Sequence, residues 1–361
     1  MFYHFLLPLQ DKISFLRLFQ YITFRSIYAA LFSLLFVLFF GQYMISFLKN
    51  LKFREEVRAL GPESHKTKSG TPTMGGIIII SAVLFSMLFW GNFNNLYLSI
   101  LCGSFLVLGM IGFTDDYMKS VKKIKNGMPA KMKFILLFGS SLIVAVLLYL
   151  YPSNQQAATQ LYIPFFNKPL LDMSLLWIIF AVLVITGSSN AVNLTDGLDG
   201  LAAGSVLIVT VTLGIMSYVT GHVKIAEYLG IPYISAAAEI TVFISALCGA
   251  CLGFLWFNSN PASVFMGDTG SLSMGGVIGI IAVMLKKEIF LFFVGGIFVV
   301  EVMSVILQVS SFKLRKKRIF KMAPIHHHFE LSGWPEQKVV VRMWIIGIIL
   351  SIIGLSTLKI L

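Results

Sequence analysis

The sequence predicts an all-α fold: a polytopic membrane bundle of about ten transmembrane helices that forms a single domain over residues 1–361. Two observations indicate this class. Hydrophobic residues make up 57% of the chain and charged residues only 12%, with a mean hydropathy of +0.86, whereas soluble domains carry about 25% charged residues. In addition, the apolar residues are grouped in runs of about 20, the length that an α-helix needs to cross a bilayer.

The N-terminal segment, residues 1–20, is expected to lie along the membrane surface. Asp11, Lys12 and Arg17 interrupt its apolar pattern and no small-residue cleavage site follows, so it does not resemble a cleaved signal peptide. Its apolar side chains can instead enter the lipid interface. The predicted crossings then lie near residues 24–47, 74–92, 97–114, 134–151, 172–190, 200–219, 239–256, 267–285, 288–310 and 342–360.

The distribution of lysine and arginine predicts the orientation of these helices. Loops 49–72, 114–133 and 311–342 contain six, six and eight basic residues, which is 20 of the 28 in the chain. Basic loops of membrane proteins stay in the cytoplasm. All three loops fall on one face, so both termini are predicted to be periplasmic. The net charge of +12 is explained by this pattern, and a nucleic-acid partner is not needed.

Polar segments marked by glycine or proline are concentrated at the predicted cytoplasmic ends of the helices. The opposite loops carry no comparable clusters, so the active site is predicted on the cytoplasmic face. The segments read KSGTPTMGG (68–76), GFTDDYMK (112–119), NLTDGLDGL (193–201), WFNSNPASVFMGDTGS (256–271) and MAPIHHHFE (322–330).

Asp115 and Asp116 lie at the inner end of the third predicted helix. A solvated helix terminus is one explanation, but two adjacent carboxylates at a helix C-terminus oppose the helix dipole. A cation is therefore expected beside them, either Lys119, one helical turn away, or Mg²⁺. We interpret the pair as functional.

In NLTDGLDGL, Asp196 and Asp199 occupy a short loop without lysine or arginine. The loop can be a polar turn in which Gly197 and Gly200 supply positive φ angles. Alternatively, if the segment is helical, the two acids face the same way, because they are three residues apart. They would then bind a cation or the hydrogen-bonding edge of a base, which is the interpretation we favour.

Asp268 precedes the eighth predicted helix in MGDTGSL. It can cap that helix, or it can hold a metal beside backbone N–H groups that favour phosphate; the residues leave both roles open.

His326, His327 and His328 form a run in the basic loop, and three consecutive side chains cannot converge on one tetrahedral metal. They can hydrogen-bond phosphate or transfer protons, or belong to a solvated loop.

The ninth predicted helix carries a polar stripe, which must face the bundle interior or a watery groove. Its members are Glu301, Ser304, Gln308 and Ser311, at i, i+3, i+7 and i+10. Glu301 is the deepest of them, and the sequence does not identify its partner.

Cys248 and Cys251 have the C-x-x-C spacing that also occurs in redox and zinc sites. No second ligand pair accompanies them, and glycine and alanine surround them. We therefore interpret both cysteines as small residues that allow helices to pack closely in the membrane.

Carboxylates, lysines and helix N-termini at one membrane surface favour Mg²⁺-assisted phosphoryl transfer. Mg²⁺ is usually held by one or two carboxylates together with substrate phosphates, and lysines add positive charge. One substrate is then expected to be soluble and the other to come from the bilayer. A transporter is the alternative, but transporters keep coupling charges near the midplane, often with internal repeats. Here only Glu301 lies deep, and no repeat is seen.

The motifs also carry a resemblance to a known family, which extends from Thr23 to the last helix. GTPTMGG, GFTDDYMK, NLTDGLDGL, NPASVFMGDTGSL and MAPIHHHFE, in this order, resemble the polyprenyl-phosphate sugar-1-phosphate transferases. Within them, the chain most closely resembles the phospho-N-acetylmuramoyl-pentapeptide-transferase family. PIHHHFE followed by GWPEQKVVVRMW separates this family from relatives that use UDP-N-acetylglucosamine, which are the second alternative.

The resemblance implies a reaction in the bacterial inner membrane. UDP-N-acetylmuramoyl-pentapeptide and undecaprenyl phosphate would give undecaprenyl-diphospho-N-acetylmuramoyl-pentapeptide (lipid I) and UMP, with Mg²⁺ required. A homodimer is also implied. Either the lipid phosphate attacks directly, with Asp115 as the base, or an aspartate first forms a phospho-enzyme; the sequence leaves this open.

The resemblance further implies the roles of individual residues. The Mg²⁺ ligands would be Asp268, Asp115 and Asp116, which are also catalytic positions. The other catalytic positions would be Lys131, His326, His327 and His328. The nucleoside would bind at residues 196–199, with Phe265 beside the uracil. The implied substrate-binding positions are Lys68, Thr73, Lys119, Asn190, Asn193, Asp196, Gly197, Leu198, Asp199, Phe265 and Gln308.

Overall fold

The computed structural model describes residues 2–51, 70–124, 127–166 and 168–358, and these residues form an all-α bundle. The helices are α1 (Phe2–Leu6), α2 (Ile22–Asn50), α3 (Gly76–Trp90), α4 (Leu96–Ser120), α5 (Ala130–Leu150), α6 (Leu176–Thr195), α7 (Leu201–Thr220), α8 (Val223–Leu229), α9 (Ala237–Asn258), α10 (Gly267–Met284), α11 (Glu288–Val294), α12 (Gly296–Arg315), α13 (Ile325–Glu330) and α14 (Glu336–Ser356). Two 3₁₀ helices, Leu7–Leu9 and Ser14–Gln20, follow α1, and β1 (Gln160–Leu161) pairs antiparallel with β2 (Leu171–Asp172).

Nine of the ten predicted crossings correspond to one helix each, and the tenth, at 288–310, corresponds to two. Within the described ranges, nine helices are long and apolar enough to cross a bilayer, and α3 is a shorter apolar helix of 15 residues. The crossing predicted at 288–310 differs, because it is divided at Gly295 and Gly296 into α11 and α12; glycine is a poor helix former. In addition, α4 continues beyond the predicted end at residue 114, so that the acidic pair lies in its last turns.

Helix α10 is the centre of the bundle. Buried residues make up 89% of the apolar span of α10, against 28% for α2 and 22% for α12. The outer faces of α2 and α12 therefore remain available to lipid. Glycines allow this central position. A Cβ at Gly112 of α4 would collide with the backbone carbonyl of Asp268, and a Cβ at Gly76 of α3 would collide with the backbone of Gly270. Both helices therefore contact the start of α10 backbone to backbone, as small residues permit.

Helices α2 and α9 pack in the same way around small residues. A Cβ at Gly249 would lie 2.6 Å from the Ser33 hydroxyl, and Ser33 Oγ donates to the Ala246 carbonyl at 2.6 Å. Cys248 and Cys251 are free thiols in this region. Their interpretation as helix-packing residues agrees with this arrangement.

The N-terminal segment lies against the bundle and exposes an apolar side. Leu16 and Phe19 are buried, and the Phe19 ring stacks on Trp90 with centroids 5.7 Å apart. Phe5 and Phe15, in contrast, are exposed. This is the arrangement that an interfacial segment requires, and its location at the membrane surface stays a prediction.

The two ends of the bundle differ in their chemistry. At one end, an ion pair joins α2 to α9, with Arg25 Nη1 donating to Glu239 Oε2 at 2.8 Å, and Lys286 Nζ donates to the carbonyl of Ala158 in a loop at 3.0 Å. Burial lowers the pKa of Lys286, while neighbouring Glu288 opposes that shift. At the other end, the loop residues 70–75, 121–124, 127–129, 196–200, 259–266 and 316–324 converge with α13. We call this the site end, and it is the face that the basic loops predict to be cytoplasmic.

Candidate active site

Two loops place Asp268 at the start of α10. The 70–75 loop and the 259–266 loop run side by side, with Phe265 N donating to the Pro72 carbonyl and Gly75 N to the Phe265 carbonyl, both at 2.8 Å. Gly267 then turns the chain into α10 with a φ of +71°, a conformation that glycine adopts without strain. Asp268 is the second residue of the helix.

Asp116 caps α10 from the neighbouring helix α4. Its Oδ1 accepts from Asp268 N at 3.1 Å, and its Oδ2 accepts from Thr269 N at 2.9 Å and Thr269 Oγ1 at 2.7 Å. Both oxygens are thus engaged with the helix start, and the negative charge lies at the positive end of the helix dipole. The capping role that the sequence allowed for Asp268 therefore belongs to Asp116.

Asp115 and Asp268 share two lysines. Lys119 Nζ lies 2.9 Å from Asp115 Oδ2 and 2.8 Å from Asp268 Oδ2, and Lys133 Nζ lies 3.1 Å and 2.8 Å from the same two oxygens. Two carboxylate oxygens from different helices therefore lie close enough to bind one cation between them. The expectation that Lys119 compensates the charge of Asp115 is confirmed, and Lys133 is a second compensating residue.

The second oxygen of each carboxylate is held by an uncharged donor. Asn193 Nδ2 donates to Asp268 Oδ1 at 2.7 Å and also lies 2.8 Å from Ser271 Oγ. Met128 N donates to Asp115 Oδ1 at 2.6 Å. These contacts orient the two Oδ2 atoms toward the lysines. Such supporting hydrogen bonds are what keep metal or phosphate ligands in place.

The lysine in this cluster is Lys133 and not Lys131. Both lie in the first turns of α5, but Lys131 is exposed, whereas the Lys133 side chain is 17% exposed and directed at the carboxylates. Residues two apart on a helix point in nearly opposite directions, about 200° apart at 3.6 residues per turn. The sequence identified the right segment, and helical phase decides which lysine enters the site.

The loop at residues 196–200 connects α6 to α7 and is anchored through Asp199. Asp199 Oδ2 accepts from Asn260 Nδ2 and Ala262 N, both at 3.1 Å, and Asp199 N donates to Glu336 Oε1 at 2.8 Å. Leu198 is buried in a small hydrophobic cluster with the start of α14. Asp199 therefore ties its loop to the 259–266 loop and to the start of α14, and it is more buried than its half-buried neighbour Asp196.

The two glycines of this loop have different functions. Gly200 has a φ of +78°, as the interpretation as a polar turn requires. Gly197 is not among the described glycines with positive φ; it is needed because a Cβ there would collide with His326 Nε2. The close approach of a histidine from α13 was not predicted from the sequence.

The three histidines are divided among different contacts. His326 is buried and its Nδ1 lies 3.1 Å from Glu301 Oε2, which gives the deep acid its partner. His327 Nδ1 lies 2.9 Å from Glu330 Oε2. His328 Nδ1 accepts from Lys321 N at 3.2 Å. The three imidazole rings thus have three different hydrogen-bond partners. This arrangement agrees with the expectation that they do not bind one metal together.

Gln308 fixes the basic loop near α12. Its Oε1 accepts from Ile319 N and Phe320 N, both at 3.0 Å, and its Nε2 donates to the Phe320 carbonyl at 2.9 Å. The structure therefore gives Gln308 a role in holding residues 319–320.

The other implied substrate-binding positions lie at the site end, with one outside the described residues. Thr73 is buried beside Gly267, Phe265 is half-buried, and Asn190 Nδ2 donates to the Thr186 carbonyl at 2.9 Å. Lys68 lies outside the described residues.

Comparisons with known proteins find relatives along nearly the whole chain. A family model described as glycosyl transferase family 4 matches residues 97–286. The phospho-N-acetylmuramoyl-pentapeptide-transferase signature 1 matches residues 68–80. A protein of Leptospira biflexa named phospho-N-acetylmuramoyl-pentapeptide-transferase is 54% identical over 356 residues, 96% of each chain. This chain belongs to the phospho-N-acetylmuramoyl-pentapeptide-transferase family.

Further members of the family match the chain from end to end. Proteins of the same name from Thermodesulfovibrio yellowstonii and Desulforapulum autotrophicum are 52% identical over 99% of each chain and 50% identical over 100% of each chain. The chain is thus a phosphotransferase and a multi-pass protein of the bacterial inner membrane. Family membership decides against the transporter alternative.

The contacts of Lys133 lead to a direct test of the site. Lys133→Ala is expected to lower turnover about 10- to 100-fold, because it removes one of the two ammonium groups that neutralise the shared carboxylates and incoming phosphate. Lys131→Ala is the matched control, two residues away and exposed, and should change turnover by no more than about twofold. Rates of nucleotide release by both purified variants give the comparison. A larger loss in Lys131→Ala than in Lys133→Ala would contradict the described register of α5.

Proposed function

We propose that this chain transfers phospho-N-acetylmuramoyl-pentapeptide from UDP to undecaprenyl phosphate, which gives lipid I and UMP. The observation that carries the proposal is the cluster of Asp115, Asp268, Lys119 and Lys133 at the start of α10. Two lysines and a helix N-terminus form a place where the diphosphate of a nucleotide sugar is stabilised. The name of the family supplies the sugar and the peptide.

We further propose that Mg²⁺ is held by Asp115 and Asp268. Their Oδ2 atoms already lie around a common cation, so the donors suit an ion that takes one or two protein carboxylates and completes its shell with substrate phosphates. In the described part of the chain, no group of three or more His, Cys, Asp or Glu is arranged to hold a metal. Asp116 has both oxygens engaged at α10, so we assign it to holding the helix start. When bound, Mg²⁺ supplies charge neutralisation on the phosphates.

The residues of the chain then position the two phosphates. Lys119 and Lys133 can each move from carboxylate to phosphate over a short distance, and Asn193 keeps Asp268 in place. An oxygen of the lipid phosphate attacks the sugar-linked phosphorus, and the bond to the UMP oxygen breaks. We favour direct attack, because Asp115 Oδ1 accepts from Met128 N and Asp115 Oδ2 is assigned to Mg²⁺, which leaves neither oxygen to attack phosphorus. An ionised phosphate needs little help from a base, so positioning and electrostatics dominate.

The nucleoside is proposed to lie between Phe265 and the 196–200 loop. Phe265 is half-buried beside the start of α10 and offers a ring face for the uracil. The half-buried Asp196 can accept from the uracil N–H, while Asp199 holds the loop in place. The lipid substrate approaches from the bilayer. A homodimer, which the family resemblance implies, stays a prediction.

Release of UMP tests the proposal. Detergent-purified protein is given undecaprenyl phosphate and Mg²⁺ with either UDP-N-acetylmuramoyl-pentapeptide or UDP-N-acetylglucosamine. We expect UMP from the first nucleotide alone, loss of UMP release with EDTA, and recovery on adding Mg²⁺. UMP from UDP-N-acetylglucosamine alone would assign the chain the substrate of the sister transferases. Activity that is unaffected by EDTA would overturn the metal assignment.

A further inference from the structure

Glu301 and His326 form a fully buried ionisable pair at the site end. Both side chains are fully buried, one on α12 and the other on α13, and Glu301 Oε2 lies 3.1 Å from His326 Nδ1. Burying two ionisable groups is costly unless they are paired, and each of them keeps one polar atom without a hydrogen bond in the described residues: Glu301 Oε1 and His326 Nε2. Packing alone would be served better by apolar side chains, so the pair indicates a function.

His326 Nε2 is directed at the 196–200 loop. A Cβ at Gly197 would collide with this nitrogen and would lie 2.9 Å from His326 Cε1. The imidazole edge therefore packs against the backbone between Asp196 and Leu198. The position of the ring consequently limits how far this backbone can move toward α12.

The rest of the loop is fixed from the other side. Asp199 is tied to Asn260, Ala262 and Glu336. The 196–199 segment thus lies between two supports, the Asp199 hydrogen bonds on one side and the His326 ring on the other. The second support contacts Gly197, next to the residue proposed to accept from the base.

Glu301 fixes the ring that forms this second support. An ionised carboxylate only accepts, so a hydrogen bond between Glu301 Oε2 and His326 Nδ1 places a hydrogen on Nδ1 and sets the orientation of the imidazole. Gln308, two turns further along α12, holds Ile319 and Phe320. The same helix therefore positions both the basic loop and His326.

We propose that Glu301 is a positioning residue that acts through His326 on the 196–199 segment and thereby sets the affinity for the uridine nucleotide. The proposal rests on the proposed function, because it takes this segment as the nucleoside site. Its consequence is selective: nucleotide binding depends on Glu301, whereas binding of the lipid phosphate does not. A purely structural pair would affect both substrates alike.

The test compares Glu301→Leu, Glu301→Gln and the wild type. We expect Glu301→Leu to raise the Kd for UMP and the KM for the UDP-sugar about tenfold or more, because small displacements in a binding site have large effects. The KM for undecaprenyl phosphate should stay within about twofold. Glu301→Gln should restore most of the nucleotide affinity, since its amide oxygen accepts from the Nδ1 hydrogen. Calorimetry with UMP gives a readout that does not depend on turnover.

Two further variants complete the design. Ser304→Ala is the matched control on α12, because the Ser304 hydroxyl is buried and donates only to the Glu301 carbonyl of its own helix among the described contacts; wild-type UMP affinity is expected. Gly197→Ala reaches the same contact from the loop and should weaken UMP binding as Glu301→Leu does, even where Glu301→Leu fails to fold.

The outcomes separate the inference from the proposed function. Equal losses for both substrates in Glu301→Leu, failure of glutamine to rescue, or unchanged UMP affinity in Gly197→Ala would each overturn the positioning role. Wild-type protein that binds UMP but makes no lipid I would instead refute the proposed function, and the UMP titrations of the variants would still decide the role of Glu301.

Discussion

Asp268→Asn is expected to lower kcat about 1,000-fold, in the range seen when a group that stabilises transition-state charge is removed. The asparagine keeps the size of the side chain and can still contact Asn193, so α10 should start at the same residue. What it removes is the negative charge shared by Lys119 and Lys133. Without it, Asp115 is the remaining carboxylate for Mg²⁺, and the concentration of Mg²⁺ needed for half-maximal activity should rise.

The measurement is UMP release over a range of Mg²⁺ concentrations, with the thermal unfolding temperature as a check on folding. Asp172→Asn is a suitable control, because Asp172 lies in β2 at the opposite end, where its carboxylate accepts from Thr159 Oγ1 and Ser174 N. It should match the wild type in kcat. If Asp268→Asn kept a tenth or more of the wild-type kcat, Asp268 would not be the metal ligand.

The helices and the location of the site are predictable from sequence for a simple physical reason. Lipid cannot hydrogen-bond the backbone, so every crossing must be an apolar helix, and all ten apolar runs correspond to helices. For the same reason, an acidic residue within or at the end of an apolar run is easily recognised as functional. Asp115 and Asp268 could therefore be assigned to a common site although 153 positions of chain separate them.

Two kinds of detail could not be predicted from the sequence. One is which side chain a helix turns toward the site, and the other is which distant segments approach each other closely. Lys131 and Lys133 have the same chemistry, and only the rotation of α5 selects Lys133. Asp115 and Asp116 are adjacent, yet one turns to the lysines and the other caps α10. The contact of His326 with Gly197 joins segments that are distant in the chain. The local sequence pattern does not determine these contacts, because each depends on which part of the chain tertiary packing brings next to the side chain.

Gly112→Ala is expected to destabilise the protein and to abolish most of its activity through the same close packing. An added Cβ would collide with the Asp268 carbonyl and lie 2.6 Å from Thr269 N. These are backbone atoms, so no side chain can rotate to relieve the overlap. Overpacking of this kind costs about 1–3 kcal/mol of folding free energy and sometimes more. It also displaces the start of α10, and with it Asp268, from Lys119 and Lys133.

Gly103→Ala on the same helix isolates this effect. Gly103 is exposed, and its added Cβ would have no atom within 4 Å, so alanine should be neutral or should stabilise α4 by about 0.5–1 kcal/mol. Thermal unfolding and UMP release are measured for both variants. A lowered unfolding temperature with a loss of kcat in Gly112→Ala only would show that backbone contact between α4 and α10 holds the acidic cluster together. Wild-type behaviour of Gly112→Ala would mean that the two helices lie further apart, and the shared position of Asp115 and Asp268 would have to be given up.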